Sequence, residues 1–81
     1  MTKGRLAKYV SQGDEIEFKY KGKDYSITYG TIDGVDCISF CEFYSDLLNV
    51  PDVDTLWNSQ YHGMAVSEII SSLTIYDMWI Y

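Results

Sequence analysis

Lysine and arginine vanish after residue 23. The 58 residues from Asp24 to Tyr81 hold neither, yet they carry nine carboxylates and the only histidine. Average usage would place roughly seven basic residues in a segment of that length. The formal charge therefore divides into +3 over residues 1–23, from six basic and three acidic groups, and −9 over the remainder. A chain at −6 overall lacks the positive excess that nucleic-acid binding draws on, so direct nucleic-acid contact is disfavoured. The asymmetry instead concerns protein partners and solubility.

Cysteine is scarce, with only Cys37 and Cys41. On one strand their Cα atoms stand about 13 Å apart, and a disulfide needs less than about 7 Å. Free thiols and the lack of a signal-like segment lead to the expectation of a reducing, cytoplasmic setting. Proline occurs once, at Pro51, and the six glycines are scattered along the chain, so no phosphate-cradling motif exists. No run approaches the roughly eighteen apolar residues of a membrane span, and no membrane partner is expected.

Aromatic residues are plentiful. Eight tyrosines, two tryptophans and three phenylalanines make up 16% of the chain, and 47% of residues are apolar. That composition excludes intrinsic disorder. It also enlarges the thin core that 81 residues, read as a single domain 1–81, would otherwise bury.

Periodicity supplies the elements. Leu6, Tyr9 and Val10 share one face of a helix over residues 3–12, with Gly13 at its C-terminal cap. Ile16, Phe18 and Tyr20 alternate with charged residues, and Tyr25, Ile27 and Tyr29 alternate with polar ones, which predicts two half-buried strands. A Gly22-Lys23 turn of type II′ would set Tyr20 against Tyr25, Phe18 against Ile27, Ile16 against Tyr29, and Lys21 against Asp24. Residues 36–44 read as a third strand with Ile38 and Phe40 toward the core; Glu42, of the same parity, implies a bulge or the strand end. Residues 45–51 read as irregular. Asp52 caps a short helix that turns Val53, Leu56 and Trp57 inward and ends near Gln60, where His62-Gly63 breaks the chain. Val66, Ile69, Ile70 and Leu73 mark a last helix. Thr74–Tyr81 reads as a terminal strand at the sheet edge. The expected fold is α+β, a small antiparallel sheet of three to four strands covered on one face by helices, in the order α-β-β-β-α-α-(β).

The stretches Glu15-Ile-Glu-Phe-Lys-Tyr-Lys-Gly-Lys-Asp-Tyr-Ser-Ile-Thr and Ile38-Ser-Phe-Cys-Glu-Phe, with His62-Gly63 and the helix Val66–Leu73, resemble a family of short acidic proteins of Gram-positive bacteria, their phages and mobile elements. The resemblance implies a prophage or accessory-genome setting. It transfers no activity and no catalytic residues.

Chemistry-bearing groupings are sparse. Structural zinc needs four Cys or His ligands at short spacing, whereas Cys37, Cys41 and His62 are three and dispersed, so no metal or cofactor is expected. Cys41 with His62 is the one nucleophile–base pair available, and nothing around it marks an oxyanion site. Asp52 and Asp54 lack the further ligands of a calcium loop and fit helix capping better. There remain the carboxylates Asp33, Asp36, Glu42, Asp46, Asp52 and Asp54, crowded into 22 residues. One reading is a solvated face that keeps a tyrosine-rich domain soluble. The functional reading is a surface for a basic protein partner, with Tyr44, Trp57 or Tyr61 as packing anchors. That makes the chain a non-enzymatic protein–protein interaction domain, in its narrowest form an acidic inhibitor of a nucleic-acid-binding protein, anti-restriction or anti-CRISPR in kind. The alternative is a self-associating accessory domain, a homodimer through Thr74–Tyr81.

Overall fold

The computed structural model describes residues 1–81. The elements are α1 (Lys3–Ser11), β1 (Ile16–Tyr20), β2 (Lys23–Ile32), β3 (Val35–Glu42), β4 (Leu48–Val50), α2 (Val53–Trp57), β5 (Gln60–Tyr61), β6 (Met64–Ala65), α3 (Val66–Ser71) and β7 (Met78–Ile80). Five strands form one antiparallel sheet in the order β4-β3-β2-β1-β7, and β5 and β6 form a separate two-stranded ribbon. The class is α+β, as the periodicity predicts. Two details differ. The stretch expected to be irregular contains β4, and the break at His62-Gly63 is the turn of the β5–β6 ribbon.

Alternation decides which face is covered. Ile16, Phe18, Tyr25, Ile27, Ile38, Phe40 and Val50 are the buried sheet residues, and cross-strand pairing puts them all on one side. Leu6 of α1, Leu56 of α2, and Val66, Ile69 and Ile70 of α3 close over them, with Tyr61 and Leu73, in one continuous cluster. None of the three helices exceeds nine residues. Helices that short are unstable alone, so packing holds them. Caps assist: the Thr2 hydroxyl accepts from the Arg5 N–H, and Asp52 accepts from the Thr55 N–H at 2.7 Å.

The first hairpin keeps its expected faces but not its expected register. Phe18 stands opposite Tyr25 and Ile16 opposite Ile27, two residues away from the pairing that the Gly22-Lys23 turn predicts. The turn residues are Lys21 and Gly22, with φ of 50° and 78°. Positive φ at both positions is type I′, which, like the expected II′, matches the strand twist but places Gly at the second turn position. A slip of two preserves the inward face, so alternation alone cannot distinguish the two registers. The observed one stacks Phe18 on Tyr25 at 5.1 Å and sets Lys19, not Lys21, 3.5 Å from the Asp24 carboxylate. It also carries Tyr29 beyond the helices, leaving it 42% exposed.

Phe40 is fully buried and touches the rings of Phe18, Tyr25 and Tyr61. Phe40→Ala should lower unfolding free energy by about 3–5 kcal/mol, a large part of the ~5–15 kcal/mol available to a small domain. Urea titration measures it; a loss under about 1 kcal/mol would contradict the placement of Phe40 at the core centre. Lys21→Asn should stabilise the I′ turn by up to ~1 kcal/mol, whereas a Gly22-Lys23 turn would gain nothing.

Candidate functional site

The six carboxylates expected to face a partner lie toward the two ends of β3. Asp33 occupies the β2–β3 turn at φ 52°, and Asp36 is the second residue of β3. The Thr31 hydroxyl donates to Asp36 at 3.2 Å, and a hydrogen bond to Asp36 pushes the Tyr29 phenol above its ordinary pKa. Asp36 shares a recess with Pro51, so Asp52 lies near this end, and Asp54 follows in the first turn of α2. Glu42 ends β3 six residues further on, about 20 Å away along the strand. Asp46 follows it in the loop to β4.

Some of these charges are met inside the molecule. Asp54 pairs with Lys3, and Glu42 lies 3.4 Å from Lys23. His62 Nε2 lies 3.4 Å from Asp46. Hydrogen bonds from the Thr55 hydroxyl and N–H hold the Asp52 carboxyl below the usual carboxylate range. The carboxylates therefore form two groups rather than one unbroken surface; Asp33, Asp36 and Asp52 are exposed with no ion-pair partner, and Asp46, also exposed, faces only the His62 imidazole and no lysine or arginine.

The three aromatic candidates differ in placement. Tyr44 is fully exposed in the turn after β3, with its ring edge-on to Phe43. Trp57 is half-buried and packs against the core. Tyr61 is only 3% exposed, which corrects its reading as a surface anchor. Its hydroxyl accepts from the Glu42 N–H at 3.0 Å and donates to the Asp46 carbonyl at 2.7 Å. Tyr61 is a latch between the end of β3, the following loop and the ribbon. Periodicity could not find it, because a two-residue strand carries no period. The signal was His62-Gly63, whose φ values of 48° and 80° repeat the I′ geometry of the other hairpins.

Cys41 and His62 do not meet. Cys41 is on the uncovered sheet face, its Sγ 3.5 Å from the Ser26 Oγ, while His62 stacks on the Tyr61 ring on the covered side. Neither cysteine is bridged, and no three His, Cys, Asp or Glu residues converge as metal ligands.

Sequence reading missed the uncovered face itself. Its middle is small and polar: Ser26, Thr28, Ser39 and Cys41, with Asn49 at the β4 edge. Toward β7 it becomes aromatic. Glu17, Asp24, Phe43, Trp79 and Tyr81 line a groove of about 230 Å³ over the backbone at Phe18 and Tyr25. Trp79 is 49% exposed and Tyr81 65%. The Tyr81 hydroxyl donates to Glu17 at 3.1 Å, which raises the phenol above its ordinary pKa. Ile75 and Tyr76 are also exposed, in the turn before β7, while Ile80 stands opposite Ile16 on the other face of the sheet and is 38% exposed at its edge. Glu15 and Tyr81 exchange backbone hydrogen bonds, and the Lys19 N–H donates to the Asp77 carbonyl. In an antiparallel ladder this turns the N–H and C=O groups of Met78 and Ile80 away from β1, along an edge with no neighbouring strand.

Tyr61→Phe strands the Glu42 N–H and the Asp46 carbonyl, and should cost about 1–3 kcal/mol in thermal or urea unfolding, against almost nothing for a surface tyrosine. The lowered carboxyls of Asp52 and Asp77, the latter held by the Thr74 N–H and then its hydroxyl, fix the sign of an acid effect. Their contribution is complete above the unfolded value of about 3.9 and is lost as pH falls through the lower folded values. Asp52→Asn, which can still cap, should flatten that acid limb of a stability–pH curve.

No family model, curated protein or solved structure matches the chain.

Proposed function

We propose that this chain is a non-enzymatic protein-binding domain that docks through the uncovered sheet face and the outer edge of β7 onto a partner with a basic surface. The observation that carries this reading is the exposed aromatic wall of Trp79 and Tyr81, which faces Phe43 across the groove on the uncovered face. Contiguous exposed apolar surface marks interaction sites, and Trp and Tyr are the favoured anchors. The net charge of −6 supplies attraction to a cationic partner and speeds encounter. Asp33, Asp36 and Asp52 support the narrower reading, a phage-type inhibitor that occupies the basic groove of a nucleic-acid-binding protein. Of the six carboxylates between Asp33 and Asp54, they are the ones with no ion-pair partner.

A second reading is favoured by one specific feature. The free N–H and C=O groups of Met78 and Ile80 suit antiparallel addition of β7 from another copy of the chain, which would bury Ile80 and Trp79 in a homodimer.

Capture from host lysate with the wild type and with a Trp79→Ser, Ile80→Ser variant separates these readings. The first predicts a basic partner, eluted by salt, cross-linked to β1 and β7, and lost with the variant. A partner cross-linked to α1 and α3, or held equally by the variant, would contradict it. Sedimentation from micromolar to millimolar concentration predicts a monomer under the first reading and a dimer under the second.

A further inference from the structure

The groove on the uncovered face combines features that call for one kind of occupant. Strands β1 and β2 place Glu17 and Asp24 there as diagonal neighbours, since Glu17 pairs with Ser26 and Asp24 with Lys19. Their backbones are about 7–8 Å apart. Trp79 stands directly across from Glu17 on β7, with Tyr81 hydrogen-bonded to the same carboxylate. Phe43 continues β3 beside Asp24, its N–H donating to the Asp24 carbonyl at 2.8 Å. Trp79 and Tyr81 thus form one wall, Phe43 the other, and two carboxylates line the space between.

Size and charge narrow the choice. A volume of about 230 Å³ lies below the range of roughly 300–1,000 Å³ that holds a drug-sized ligand, and suits a single side chain. Glu17 has no ion-pair partner, and Asp24 has only Lys19 at 3.5 Å. Lys19 and Asp24 are each about half exposed, so their pair is weak and exchangeable. An ammonium would satisfy one carboxylate as a point charge. A planar guanidinium stacks on aromatic faces and presents a fork of N–H donors to carboxylates.

We propose that this groove receives an arginine side chain of the basic protein partner, between the aromatic walls and against Glu17 and Asp24. The assignment rests on the protein-binding reading and names the partner group that meets this face. It also gives Tyr81 a positioning role, since its hydroxyl holds the Glu17 carboxylate at the groove.

A capped Gly-Arg-Gly peptide is the probe, followed by the indole N–H signals of Trp79 and Trp57 in a ¹H–¹⁵N spectrum, with Trp79→Phe to assign them. The Trp79 signal should shift saturably with millimolar affinity while Trp57 stays still. The same peptide with citrulline, neutral and nearly isosteric, should bind about tenfold more weakly. Glu17→Gln should weaken arginine binding about fivefold, and Lys19→Met should tighten it about twofold by freeing Asp24. Equal binding of citrulline, or no shift at Trp79, overturns the assignment. A Trp79 shift that tracks chain concentration without peptide places a second copy in the groove and overturns it too. A natural partner that Glu17→Gln still captures in full, but the Trp79→Ser, Ile80→Ser variant loses, removes the arginine site and leaves the protein-binding reading standing. A partner bound equally by all variants removes both.

Discussion

One constraint orders the molecule: a five-stranded sheet is buried on a single face. Phe40 sits where the constraint is tightest, in contact with rings from β1, β2 and β5. The three helices have no independent stability at their lengths and exist because that face must be covered. An 81-residue chain leaves little material to cover the other side. The small polar residues in the middle of the uncovered face tolerate water. Trp79, Phe43 and Tyr81 tolerate it less well, and the functional reading begins with them.

Folding also rearranges the charge. Along the chain the basic and acidic parts are separate, but in space Lys3 meets Asp54, Lys19 meets Asp24 and Lys23 meets Glu42. Exposed pairs of this kind contribute little to stability, about 0–1 kcal/mol each. Their effect is on the field, because each removes a carboxylate from the acidic set. The carboxylates without an ion-pair partner are dispersed: Asp33, Asp36 and Asp52 lie near the β2–β3 turn and the start of α2, Glu17 lies on the uncovered face, and Asp14, Glu15, Glu68 and Asp77 lie elsewhere.

Elements with a strong period were legible in the sequence. The helix at Leu6, Tyr9 and Val10, the cap at Asp52, the inward pair Ile38 and Phe40 and the helix begun at Val66 stand where the sequence puts them, while the terminal strand forms only over Met78–Ile80 of the expected Thr74–Tyr81. What escaped had too few residues to show a period, or a degeneracy that period cannot break. β4 and the β5–β6 ribbon have three and two residues per strand. The first hairpin slipped by two because both registers bury the same face, and only the φ of Lys21 decides between them. Among the site residues, the acidity of Asp33, Asp36 and Asp52 was legible as composition. Their division from Glu42 and Asp46 follows from the length of β3, and the burial of Tyr61 from a ribbon too short to announce itself. The groove at Glu17 and Trp79 joins residues 62 positions apart, a juxtaposition that strand order alone creates.

Acrylamide quenching of the two tryptophans in the isolated monomer tests most directly whether the aromatic face is open. Trp79, studied in a Trp57→Phe chain, should be quenched clearly faster than Trp57, studied in a Trp79→Phe chain. A Trp79 as shielded as Trp57 in the monomer would mean that the chain covers its own sheet on both faces, and the docking surface described here would not exist.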